Sequence, residues 1–109
     1  MTLDNYQKEA RKTAVYTVMG ARFVYPALGL CGEAGEIAEK VKKVFRDNSG
    51  VLVEEKRQEM KLELGDVLWY VANLAQDIGF TLEEIGQANI NKLYSRQQRG
   101  KLNGDGDKR

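Results

Sequence analysis

The stretch Glu63-Leu64-Gly65-Asp66-Val67-Leu68-Trp69-Tyr70-Val71-Ala72-Asn73-Leu74-Ala75-Gln76-Asp77-Ile78 decides the fold. Together with Leu62, its apolar residues Val67, Leu68, Val71, Leu74, Ala75 and Ile78 recur at three- and four-residue intervals. That is the period of a helix with one buried face. The same stretch carries Glu63 and Asp66 three residues apart, so both carboxylates point one way. Gly79 is a natural stop, and the helix is expected over 54–78.

A second run repeats the pattern. Leu30, Ala34, Ile37, Ala38, Val41, Val44 and Phe45 form an apolar stripe, and Gly32-Glu33-Ala34-Gly35-Glu36 places another carboxylate pair beside it. If the two helices are neighbours, Glu33, Glu36, Glu63 and Asp66 converge. Two carboxylates about 4 Å apart repel by roughly 4 kcal/mol at an effective dielectric near 20. Four of them call for a cation, and an all-oxygen donor set suits Mg²⁺ or Mn²⁺. Either pair alone reads as a solvated helix face. Repetition on neighbouring helices, beside Ala34-Gly35 and Leu64-Gly65, favours metal binding.

The remaining elements are also helical. Thr2 is a cap for a first helix over 3–16, with Asp4 in its first turn. Residues 19–25 form an apolar connection, with Tyr25 held out of helix by the proline after it. Pro26 suits the first turn of the second helix. Gly29, Gly32 and Gly35 each cost about 1 kcal/mol against alanine there, so they imply close helix approach or room for a ligand. Asp47-Asn48-Ser49-Gly50 is a turn, and Val51-Leu52-Val53 is too short for a strand. Thr81 and Glu84 form a capping box for a fourth helix. The fold class is all-α, most simply a four-helix bundle. The chain reads as one domain over 1–99, with a Gly/Asp/Lys/Arg tail over 100–109 that is mobile unless a ligand orders it.

Composition narrows the chemistry. The 109 residues contain no histidine, which excludes Ser-His catalysis and His-ligated zinc. Phosphate-binding glycine loops are absent too. The net charge of +1 recruits neither a nucleic-acid polymer nor a membrane surface. One cysteine, Cys31, and no apolar leader fit a cytoplasmic protein.

Other candidates surround the acidic pairs. Lys40 follows Glu36 by one turn; it is either an i, i+4 partner of Glu36 or a cation for a bound phosphate. Glu59 and Tyr70 extend the Glu63/Asp66 face, and Glu39 is a solvated residue further round. Trp69 beside that face is either core or a stacking surface. Asn89 interrupts the stripe Leu82, Ile85, Leu93, so it needs a partner. Lys92 and Arg96 read either as a basic last turn that suits the helix dipole or, with Asn89, as a phosphate clamp facing the acidic site, and the interrupted stripe favours the clamp.

Glu33-x-x-Glu36, 26 residues, then Glu63-x-x-Asp66 resembles the metal-binding signature of the MazG-type all-α nucleoside triphosphate pyrophosphohydrolases. The contexts Gly29-Leu30-Cys31-Gly32-Glu33 and Glu63-Leu64-Gly65-Asp66-Val67-Leu68-Trp69-Tyr70, and Asn89-x-x-Lys92-Leu93-x-x-Arg96, are similar as well. The resemblance spans nearly the whole chain and is closest to short single-domain versions. It implies Mg²⁺-dependent hydrolysis of a (d)NTP to monophosphate and pyrophosphate, in nucleotide-pool housecleaning, by a homodimer or homotetramer. Glu33, Glu36, Glu63 and Asp66 would be the catalytic metal ligands. Lys40, Asn89, Lys92, Arg96, Trp69 and Tyr70 would meet substrate. Where some relatives carry a further acidic residue, this chain has Gly32. Rival readings are a phosphoribosyl-ATP pyrophosphohydrolase or dUTPase-like relative, and a non-catalytic helical interaction module.

Overall fold

Helix boundaries follow the capping chemistry of the sequence. The computed structural model describes residues 1–100 and 106, and among them it holds four helices and no strand: α1 (Leu3–Lys12), α2 (Val24–Asn48), α3 (Glu54–Asp77) and α4 (Leu82–Gln98). The expected mobility of the tail concerns residues that, Gly100 and Gly106 apart, lie outside the described set.

Thr2 Oγ1 accepts the Asn5 N–H at 3.0 Å and starts α1. The helix ends at Lys12, four residues before the expected 16. The Thr13 hydroxyl donates back to the Ala10 carbonyl at 2.7 Å and accepts the Trp69 indole N–H at 2.7 Å, fixing the chain in a turn. α2 starts at Val24, so Tyr25 is helical despite the proline after it. Pro26 still falls in the first turn, where an N–H would have no intrahelical acceptor. Gly79, at φ +91°, ends α3 as expected. Thr81 and Glu84 make both halves of the capping box on α4.

α2 and α3 pair as an antiparallel hairpin, α1 lies along α3, and α4 packs on α1 and α3. α4 does not contact α2, so the four helices do not enclose one shared centre. The buried apolar cluster is Ala10, Ala72, Ala75 and Leu82, with Tyr6, Trp69 and Val71 against it. Gln7 ties this junction together. Its side-chain amide donates to the carbonyls of Ala72 at 3.1 Å and Phe80 at 3.0 Å, and its oxygen accepts the Leu82 N–H at 3.1 Å. The orphan donor at the start of α4 is thereby satisfied from α1.

Much of the expected core face is open. Val44 and Pro26 are the buried residues of α2, while Phe45 is 69% exposed. On α3, Leu62 is 71% and Ile78 51% exposed. The stripes are real, but α4 reaches α3 only around Ala72 and Ala75 and does not contact α2, so the chain alone leaves much of both open. No helix among the described residues is long and apolar enough to cross a membrane.

Candidate metal centre

The acidic residues meet across the α2–α3 seam because the helices are antiparallel and in register. Three cross-seam pairs fix that register. Tyr70 lies against Gly29, Asp66 lies near Glu33, and the Lys40 ammonium pairs with Glu59 at 3.4 Å. The first two pairs are about one helical turn apart, and the third lies about two turns further along.

Glu33, Glu63 and Asp66 each offer a carboxylate oxygen within 4.8 Å of the other two. Opposite ligands of a small octahedral ion stand about 4.2 Å apart, so side-chain rotation is enough to close the set. Glu33 and Glu63 are half-buried and Asp66 is exposed, which leaves an open side. Burial raises the Glu33 carboxyl above its ordinary range, and the negative charges of Asp66, Glu63 and Glu36 raise it further. Such strain is what a cation would relieve, so the donor set fits a hard divalent metal. Glu36 contributes to that field but stands exposed outside the triad.

The seam has a different chemistry at each end. Beyond Glu36, Glu59 holds both Lys40 and Lys56, each at 3.4 Å. Burial works to raise the Glu59 carboxyl, but the two ammonium groups hold it below its usual value. The pairing of Lys40 with Glu36 is therefore replaced by one across the helices. Glu39 is exposed and bonded to Lys42.

At the other end the rings of Tyr16, Tyr25, Trp69 and Tyr70 form a quartet. Tyr16 stacks on Tyr25 with centroids 5.0 Å apart and planes within 6°. Trp69 meets Tyr16 and Tyr70 edge-on at 6.2 and 5.0 Å, and Tyr25 lies 6.4 Å from Tyr70. The indole edge is engaged by Thr13, so Trp69 belongs to the packed interior more than to an open stacking face. Burial raises the Tyr70 phenol, and the Tyr25 phenol and the carboxylates of Glu33 and Asp66 add to the shift. Tyr70 thus stands one helical turn from the acidic group, within reach of its field.

The α4 candidates are elsewhere. Asn89 is exposed and lines a groove of about 450 Å³ with Phe80, Glu84, Ile85, Ala88 and Lys92. Its place in the apolar stripe is explained by solvent, because α2 does not cover that face. Arg96 is buried within its own chain at 3% exposure, where a clamp facing the acidic site was expected. Since α4 has no contact with α2, these three residues are not gathered with the carboxylates within one chain.

Sequence reasoning missed Asp77 and its partners. The Asp77 side chain is 1% exposed and meets Tyr16, Arg11 and Arg22. Burial alone would raise its pKa, but the Tyr16 hydroxyl and the Arg11 guanidinium hold it low. A signal was present: an anion at a helix C-terminus opposes the dipole and needs a compensating group.

Similarity to known proteins agrees with this geometry. A 47% identical relative, the Gene 37 protein of Mycobacterium phage L5, aligns over 100% of both chains. No solved structure matches. The model of the MazG nucleotide pyrophosphohydrolase domain matches residues 26–100, which contain α3, α4 and all of α2 but its first two residues. With an all-helical fold and a carboxylate cluster inside the matched region, this chain belongs to the MazG nucleotide pyrophosphohydrolase family.

Proposed function

We propose that the protein hydrolyses (deoxy)nucleoside triphosphates to the monophosphate and pyrophosphate, using Mg²⁺ or Mn²⁺ held by Glu33, Glu63 and Asp66. The observation that carries this reading is the approach of three carboxylate oxygens within 4.8 Å on a seam bordered by an aromatic quartet. When bound, the metal would neutralise phosphate charge and polarise the water that attacks. Glu36, exposed beside the triad, adds either a fourth oxygen or a base for that water's proton. Tyr70 and the rings behind it offer an apolar wall for base and sugar. Lys40 contributes positive charge at the opposite end, once released from Glu59.

Asn89 and Lys92 then act on substrate phosphate from a second copy of the chain, in a homodimer or homotetramer, and Arg96, buried in its own chain, joins them only if association uncovers it. Supporting this is the apolar surface flanking the carboxylates: Leu28 is 60% exposed and Leu64 56%. A patch of that kind favours association. The biological role is adjustment of the nucleotide pool.

The test is a panel of dNTPs and NTPs with Mg²⁺, resolving monophosphate, diphosphate, pyrophosphate and phosphate. Monophosphate with equimolar pyrophosphate, lost with EDTA and in Glu63→Gln, is the expected result. Turnover of phosphoribosyl-ATP or dUTP alone selects the narrower relatives. No turnover, with no rise in melting temperature on adding Mg²⁺, selects the interaction module.

A further inference from the structure

Asp77 is at the C-terminal end of α3, where the helix dipole is negative, and no basic residue occupies the last turn of that helix. Its burial is compensated from outside the helix. The Tyr16 hydroxyl donates to Oδ2 at 2.5 Å, Arg11 Nη2 reaches Oδ1 at 2.8 Å, and Arg22 Nε reaches Oδ1 at 3.5 Å. Tyr16 and Arg22 both belong to the irregular segment 13–23 that joins α1 to α2. Arg22 also lies over the Tyr16 ring, 5.5 Å from its centroid. Beyond Thr13, which is fixed to Ala10 and Trp69, much of this segment is open, with Val15, Val18, Met19 and Phe23 exposed. Asp77 is where the strap is fastened.

Fastening the strap reaches the acidic seam through rings. Tyr16 stacks on Tyr25, Tyr25 neighbours Tyr70, and Tyr70 rests on Gly29 one turn from Glu33 and Asp66. We infer that Asp77 is a positioning residue for the nucleotide: through Tyr16 it sets the Tyr25–Tyr70 wall on which the base and sugar lie. The inference rests on the reading of the seam as a nucleotide site. Asp77 is roughly three helical turns beyond Asp66, so it acts without touching substrate or metal. A wall remote from the reacting phosphorus contributes equally to the ground and transition states. Loosening it therefore raises KM and spares kcat.

The experiment compares wild type, Asp77→Asn and Tyr16→Phe, in steady-state hydrolysis of the preferred (d)NTP with Mg²⁺. The emission of Trp69, the single tryptophan, is read in parallel without nucleotide. Both variants are expected to raise KM about tenfold with kcat within about threefold of wild type, and to shift Trp69 emission. A merely structural latch lowers the melting temperature but leaves KM of the folded protein unchanged, and that result overturns the inference. Should Asp77→Asn fail to fold, Tyr16→Phe decides alone, because it keeps the stacked ring and removes the hydroxyl. Wild-type protein that hydrolyses no nucleotide overturns the underlying reading and this inference with it. Active wild type with unchanged KM in Tyr16→Phe overturns this inference only.

Discussion

A methyl group at position 29 would run into the Tyr70 ring, so the α2 backbone and that ring are in direct contact across the seam. This contact sets the helix separation one turn from Glu33 and Asp66. Gly32, Gly35 and Gly65 differ, because a methyl group there would meet open space.

That difference gives opposite outcomes for the same substitution. Gly29→Ala gains about 1 kcal/mol of helix propensity and loses about 1–3 kcal/mol to overpacking. Thermal unfolding is expected to show a lower melting temperature. Gly35→Ala meets nothing and keeps the propensity gain, so its melting temperature rises in metal-free protein. Equal shifts of the same sign in both variants would contradict the close approach.

The raised Glu33 carboxyl makes metal-free stability depend on pH. A carboxyl whose folded pKa exceeds its unfolded value favours folding when protonated. Its contribution is complete below the ordinary carboxylate range and is lost as pH rises through that range to the raised folded value. In EDTA, Glu33→Gln is therefore expected to be more stable than wild type at pH 7, with the advantage shrinking at pH 4. Added Mg²⁺ should reverse the order by stabilising wild type alone. Melting curves at the two pH values check the sign.

Asp77 has the opposite sign. Its folded pKa is held low by Tyr16 and Arg11, so its stabilisation is present above the ordinary aspartate range and lost as pH falls through the depressed folded value. Asp77→Asn should cost about 1–3 kcal/mol at neutral pH, below the range for fully buried pairs because Arg11 stays partly in water. Urea titrations should show that cost disappearing in acid.

Gln7→Leu removes three hydrogen bonds at the junction of α1, α3 and α4. Each buried backbone group left unpaired costs about 1–3 kcal/mol. A large loss of stability in urea, with a metal-binding constant close to wild type in the folded protein, is expected. The proposed metal ligands lie on the α2–α3 seam, away from the Ala72 carbonyl that Gln7 bonds.

The helices, the capping box and three of the four carboxylates expected to converge were legible because each is local or follows from one periodicity. Thr81 and Glu84 need only each other, and Glu63 and Asp66 share a face whatever surrounds them. What was hidden depends on tertiary partners. Leu62 and Phe45 read as core because a stripe says which side is apolar, never what covers it. Arg96 read as part of a clamp or a basic last turn, because its helix position alone does not reveal that its own chain buries it. Lys40 had two local explanations, and a residue on the other helix supplied a third. Tyr16 read as the end of α1 because nothing near it in sequence reveals Asp77.

The central claim is that Glu33, Glu63 and Asp66 hold one divalent ion centre. Titration of metal-free protein with Mn²⁺, followed by electron paramagnetic resonance, tests it most directly. Wild type should bind Mn²⁺ tightly, with Mg²⁺ competing, and Glu33→Gln, Glu63→Gln and Asp66→Asn should each weaken binding by at least about 100-fold, beyond the 10- to 100-fold typical of groups that only support ligands. Mn²⁺ affinity unchanged in all three folded variants would contradict the account.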